Sequence, residues 1–317
     1  IVGAGAIGGW LGARLALAGN NVSVVARGAT LAALRAQGLR LQTPGQTHAV
    51  PVQASEQAAE LGVQDLVIIA VKAPSLLGVA RQVKPLLGPD TQVLSAMNGV
   101  PWWFFQGFDG PYQGTVLEAV DPGGEIAGLI PAHQVLGGVV HASCTSPEPG
   151  LVVHGFGQGL IVGEPSGGES ARAQTLALTL RDAGFDASVS PQIQRDVWFK
   201  LWGNMTVNPV SALTGASTDR ILDDPLVHEL HFDIYYRKIA SRFPQRKPCS
   251  APEAVTVKLG PYSDQPSSNI VTKTGACGAV VATLPALSRV NRSANGATSA
   301  GLRLITWSTG CLKAANT

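Results

Sequence analysis

The strongest constraint in this 317-residue sequence lies at its start, where Gly3-Ala4-Gly5-Ala6-Ile7-Gly8 matches G-x-G-x-x-G. Glycines at that spacing suit a strand-to-helix turn. The first permits the tight turn, the second lets backbone approach a ligand, and the third lets the helix pack close to the sheet. An apolar helical stretch over residues 7–18 follows, Gly19-Asn20 fits its C-cap, and residues 21–26 read as the next strand. Such a unit builds a parallel sheet.

The alternation continues with strands over 66–71 and 91–96 and helices over 29–37 and 74–87. From 114 to 165 the pattern turns to strands, with 134–143, 151–153 and 159–163 as the clearest. A helix over 169–183 and a strand over 185–189 come next. The longest amphipathic segment spans 191–213, with Pro191 suited to a first helical turn, and Asp224-Pro225 opens another helix to about 239. A domain boundary is expected near Pro191, dividing 1–190 from 191–317.

Composition narrows the class. With 45% hydrophobic and 14% charged residues the chain is globular, and its net charge of +2 includes no basic run suited to nucleic acid or an anionic membrane. A small-molecule partner is expected. The apolar run at 66–71 is flanked by Asp65 and Lys72 and falls far short of the ~20 residues of a membrane span. The N-terminal run carries Arg14 and lacks a basic leader, which points to the cytoplasm. Four cysteines without ligand spacing indicate no metal.

Two features set the ends apart. The chain begins at Ile1, two residues before Gly3, so the opening of a first strand is expected to be missing. Residues 243–317 hold eight Lys/Arg against two acids (+6), whereas the first 242 hold fifteen against nineteen (−4). Helical periodicity fades there as well, so the composition breaks near residue 240.

The glycine turn would bind a dinucleotide, with the pyrophosphate against Gly3, Gly5, Ala6, Ile7 and Gly8 at the helix N-terminus. The second strand ends in Ala26-Arg27-Gly28, without the acid that holds a ribose 2′-hydroxyl. Arg27 favours a 2′-phosphate, hence NADP(H) over NAD; the alternative is a solvated arginine. Lys72 and Asn98-Gly99 directly follow strands, at the sheet edge where open α/β folds bind ligands. The alternatives are a strand-end cation and an ordinary turn.

On the 191–213 segment, Lys200, Asn204 and Asn208 recur every four residues and share one helical face beside Trp198, Phe199, Leu201, Trp202 and Met205. In a cleft, the ammonium could protonate a ketone oxygen while the amides orient substrate; otherwise the stripe is a solvated face. Asn208-Pro209 marks a kink or an end. The six histidines have no ligand spacing, and Glu118, Asp121 and Glu125 read as loop acids.

These residues together resemble the ketopantoate reductases (2-dehydropantoate 2-reductases). The matching pieces are GAGAIGG from Gly3, VARG from Val25, DLVIIAVKA from Asp65, MNGV from Met97, EPG from Glu148, GLIVGEP from Gly159 and VWFKLWGNMTVNPVSALTG from Val197. They come in family order and cover about the first 230 residues. The resemblance implies a Rossmann-like α/β domain followed by an all-α domain similar to that of 6-phosphogluconate dehydrogenase. It implies NADPH-dependent reduction of 2-dehydropantoate to pantoate in pantothenate biosynthesis, with Lys200 as general acid and Asn204 and Asn208 on the substrate. Lys72 and Asn98 would lie near nicotinamide and substrate, Arg27 on the 2′-phosphate, and a homodimer would form through the C-terminal domain. A related 2-keto-acid or opine-type reductase, or a catalytically impaired NADP-binding product, is the alternative. Beyond 230 the resemblance breaks into patches at 253–262 and 282–290, which points to frameshifts in 243–317.

Overall fold

The computed structural model describes residues 1–107 and 110–225, all within one unit spanning Ile1–Arg242. In chain order its main elements are α1 (Ala6–Leu17), β1 (Ser23–Val25), α2 (Gly28–Gln37), β2 (Leu39–Thr43), β3 (Gln46–Val50), β4 (Gln53–Ser55), β5 (Leu66–Ile69), α3 (Leu76–Val83), β6 (Gln92–Ser95), α4 (Glu125–Leu129), β7 (Val135–Glu148), β8 (Leu151–Gly163), α5 (Ala171–Asp182), β9 (Asp186–Ser190), α6 (Ile193–Thr214) and α7 (Thr218–Asp223).

The sheet is organised around the first two residues. Val2 bridges Val25 on one side and Ile69 on the other, both in parallel, and its amide donates to the Ile68 carbonyl at 2.8 Å. Outward from it, β4 pairs with β1 on one flank, while β6 and then β7 follow β5 on the other, all parallel. With the Ile1–Val2 segment counted first, the parallel strands run 3-2-1-4-5-6, the order of a doubly wound dinucleotide-binding sheet. Its switch point lies between Val2 and β5. The central strand β5 is buried on both faces, as a near-continuous apolar run in a parallel sheet must be.

Beyond β7 the sheet becomes mixed. The long strand β8 runs antiparallel to β7, and its two ends pair in parallel with β2 at 151–153 and with β9 at 159–163. The core cluster joins α1 and α5 to the β7 and β8 strands, with Trp10, fully buried, stacked at 5.5 Å on His154 and edge-on to Phe185 at 4.8 Å. Glu164, at the end of β8, receives a bidentate pair from Arg172 and a 2.5 Å bond from the Ser170 hydroxyl. Arg172 donates further to the carbonyls of His133 and Val135, so one guanidinium ties α5 to two strands. Burial alone would raise the Glu164 carboxyl, but the Arg172 and Ser170 hydrogen bonds outweigh it and hold the group below the usual range.

Several sequence expectations change. The short strands β2, β3 and β4 were not foreseen, and β3 is mostly exposed. The apparent strands 151–153 and 159–163 are one strand that continues through 154–158. The stretch 114–134 holds turns and short helices rather than strands. Asp121 is no loose loop acid: it is buried and accepts from the Ile126 and Ala127 amides at 2.7 and 3.0 Å, capping α4. Pro191 precedes the long helix instead of opening it, because Gln192 is the N-cap. Pro209 does not end that helix, which runs on to Thr214 and stops at Gly215 in the left-handed conformation. No helix among the described residues is long and apolar enough to cross a membrane. The helix expected to run to about 239, the homodimer through the C-terminal domain, and the readings on 243–317 lie outside the described residues.

Candidate active site

The glycine turn meets the end of β5 at the switch point. Gly3 has φ +94°, and a Cβ there would lie 2.7 Å from Val71 Cγ1 and 2.9 Å from the Ala70 carbonyl oxygen. A Cβ at Gly8 would lie 2.0 Å from the Gly3 carbonyl oxygen, so α1 can sit this close to the turn only without one. Gly5 differs: its φ is −80°, and a Cβ built on it meets nothing within 4 Å. The space above Gly5 is open, as close approach of a pyrophosphate requires. Ala6 and Ile7 begin α1, whose first-turn amides have no intrahelical acceptors and no acidic neighbour in that turn. These residues fit a dinucleotide.

Three more expected residues follow neighbouring strand ends. Arg27, exposed, is the N-cap of α2 just after β1. Lys72, exposed, begins the turn after β5, and its carbonyl accepts from the Ser75 amide at 2.9 Å. Asn98, exposed, follows β6, with Gly99 at φ +93°. Since β1, the Val2 segment, β5 and β6 are parallel, Gly3, Arg27, Lys72 and Asn98 share the carboxyl edge of the sheet.

The second group stands on α6. This helix is anchored at its start, where Gln194 donates to the Pro165 carbonyl at 2.5 Å and Ile193 packs over Gly137, whose missing Cβ would lie 2.8 Å from Ile193 Cγ1. The segment after Asn98 braces the same region. Trp103 donates through Nε1 to Ser95 Oγ at 2.8 Å, and Phe104 lies edge-on to Trp198 at 5.6 Å.

Lys200, half-buried, donates from Nζ to the Val140 carbonyl of β7. Its burial pushes the ammonium below the ordinary lysine value. Asn208 donates to Asn204 Oδ1 at 3.3 Å, so the two amides form a pair one turn apart. The Lys200, Asn204 and Asn208 stripe is therefore one face, with the amides bonded to each other and the ammonium bonded to the sheet. No hydrogen bond among the described residues joins Lys200 to Lys72 or Asn98.

The sequence reading missed two neighbours of Lys200. Asp196 lies one turn earlier on α6 and accepts the Ser190 hydroxyl at 2.5 Å; its spacing of four from Lys200 was the available signal. His141 follows Val140 on β7, and only the sheet brings it to α6.

Comparison with known proteins decides the family. The family model described as "Ketopantoate reductase PanE/ApbA" matches residues 1–102, and its C-terminal counterpart matches 192–234. A 2-dehydropantoate 2-reductase of Mesorhizobium japonicum is 48% identical over 225 residues, covering 71% of this chain and 69% of that protein. The chain belongs to the ketopantoate reductase family. A second 2-dehydropantoate 2-reductase, from Archaeoglobus fulgidus, is 31% identical and covers 73% of this chain and 68% of that protein. A crystal structure from Ralstonia solanacearum MolK2, assigned provisionally as a ketopantoate reductase, superposes with a TM-score of 0.75 at 56% identity, covering 79% of this chain and 78% of that one. Membership makes the chain an oxidoreductase with a Rossmann-like sheet domain followed by a helical C-terminal domain.

Proposed function

We propose that the chain reduces 2-dehydropantoate to pantoate with NADPH, with Lys200 as general acid. The observation that carries this reading is the α6 face: a half-buried ammonium one and two turns from a bonded pair of amides, on a helix matched by the family's C-terminal model. The names of the Mesorhizobium and Archaeoglobus relatives support the substrate.

A bound nicotinamide dinucleotide supplies the hydride. The chain's residues do the rest. Gly3, Gly5 and Gly8 bring backbone to the pyrophosphate, and the first-turn amides of α1, at Ala6 and Ile7, face its charge. Arg27, at a strand end without an acid, pairs with a 2′-phosphate and so selects NADPH. Lys72 and Asn98 line the edge where nicotinamide and keto acid meet. Asn204 and Asn208 orient the substrate, and Lys200 releases the Val140 carbonyl to protonate the ketone oxygen as the alkoxide forms. The lowered proton affinity of Lys200 suits an acid that must give up its proton. The division at Pro191 into a cofactor domain and a substrate domain belongs to the same proposal, and the family C-terminal match, beginning at residue 192, supports it. The reading places the reaction in pantothenate biosynthesis in the cytoplasm.

The test is absorbance-monitored NADPH oxidation by the purified chain with 2-dehydropantoate, with NADH and pyruvate as controls. Turnover specific to NADPH and 2-dehydropantoate is expected. Equal turnover of pyruvate overturns the substrate, and equal use of NADH overturns the role of Arg27.

A further inference from the structure

The face of β7 turned toward α6 is set by Gly137, whose missing Cβ leaves room for Trp103 and Ile193. Side chains on a strand alternate, so residues 137, 139 and 141 share that face, while Val140 points into the α1 side of the core. The Lys200 ammonium comes down on the Val140 carbonyl, immediately before His141. Across the ladder His141 pairs with Gly159, where an added Cβ would lie only 3.1 Å from the His141 Cβ. Gly159 therefore brings no side chain to compete for the imidazole's surroundings. On α6, Asp196 and Lys200 are one turn apart, and Asp196 is steadied by the Ser190 hydroxyl. The imidazole thus shares one small region with an ammonium and a carboxylate.

We propose that His141 is a positioning residue for Lys200, an imidazole whose charge sets how readily that ammonium releases its proton. This rests on the reading of Lys200 as general acid. The charged groups acting on His141 among the described residues are Lys200 and Asp196, both from α6. Although His141 is exposed, partial desolvation holds the imidazole below its ordinary value, the Lys200 ammonium pushes the same way, and the Asp196 carboxylate opposes both. At neutral pH the imidazole is therefore largely uncharged and leaves the ammonium its proton. On acidification it becomes a second cation beside Lys200, and the ammonium becomes the stronger acid.

The experiment reads the titration of Lys200 without turnover. The full chain is acetylated briefly with a dilute amine reagent across a pH series, and modification at Lys200 is followed by peptide mass spectrometry. H141R, a permanent cation, is expected to lower the Lys200 midpoint by about half a unit, a roughly threefold loss of proton affinity. H141Q is expected to leave the alkaline midpoint in place and to abolish the rise in kcat for reduction as pH falls through the imidazole transition. A midpoint unmoved in H141R overturns the proposal, as does an acid-side rise in kcat that survives in H141Q. If H141R fails to fold, H141Q still decides. K200Q separates the two readings: wild-type reduction by K200Q defeats the general-acid assignment, while an inactive K200Q with an unmoved midpoint in H141R defeats only the role of His141.

Discussion

The glycine turn at the carboxyl edge of the sheet and the partly buried stripe of α6 are both polar sites, but they are built from different material. At the glycine turn the backbone is the instrument: Gly3 and Gly8 work through what a Cβ would obstruct, and Gly5 through the open space it leaves. On α6 the side chains do the work, and the helix only sets their spacing. A site made of backbone is destroyed by added atoms, whereas a site made of side chains is destroyed by removed ones.

That contrast can be broken by experiment, and the largest effect is expected on α6. K200Q should lower kcat by about 10²–10⁴-fold and leave dinucleotide affinity unchanged, measured by steady-state kinetics and fluorescence titration. The sign of the wild-type pH profile follows from the same group. A general acid works only while protonated, and burial lowers the Lys200 pKa, so kcat/KM should fall as pH rises through that value, before the ordinary 10.5. A profile with no such limb, or a K200Q variant that loses cofactor binding as well, would erase the distinction between the two regions.

Next comes a pair of glycine substitutions within the turn. G8A forces a Cβ to within 2.0 Å of the Gly3 carbonyl oxygen and should cost about 3 kcal/mol of stability in urea denaturation. G5A enters open space at an ordinary φ, so its unfolding midpoint should match wild type while NADPH affinity drops at least about tenfold. Equal stability in both would show that close approach of α1 is not what Gly8 provides. A smaller effect is expected from R27A, which should cut the preference for NADPH over NADH by about 10- to 100-fold without altering kcat at saturation. The smallest belongs to N208A. Because Asn204 retains its own amide, the KM for the keto acid should rise by about two- to fivefold, with kcat nearly constant. A larger loss in kcat than in KM would move Asn208 from holding substrate to the proton-transfer step.

The same contrast explains what could be seen in the sequence. The turn was legible because its requirements are local: a glycine where φ is positive, another where backbone meets backbone, and a strand on either side. The α6 stripe was legible because a spacing of four is a property of one helix. The partner of Lys200 was not, since Val140 lies 60 residues away and meets α6 only through the sheet. Asp121 looked like a loop acid because its value as a cap depends on two amides whose helix, α4, is only five residues long. Strands β3 and β4 are short and polar, without the alternation that marks a strand facing a core. In β8, the two stretches at 151–153 and 159–163 read as separate strands. Gly157 does take φ +78°, but the strand continues past it through register shifts against β7, and a Cβ there would lie 2.5 Å from the His141 carbonyl oxygen.

The meeting of three strands on β8 also bears on how the chain assembles. Its hairpin with β7 joins neighbours in sequence, and β9 arrives soon after along the chain. The pairing with β2 instead brings Arg40 to the Gly150 carbonyl and to Glu148, closing a loop of about 110 residues. Pairing so distant in sequence is slow to form, so the β2 end of β8 should be the last part of the sheet to acquire protection from hydrogen exchange during refolding. Until it does, the dinucleotide edge and the α6 helix can mature separately, each on its own clock.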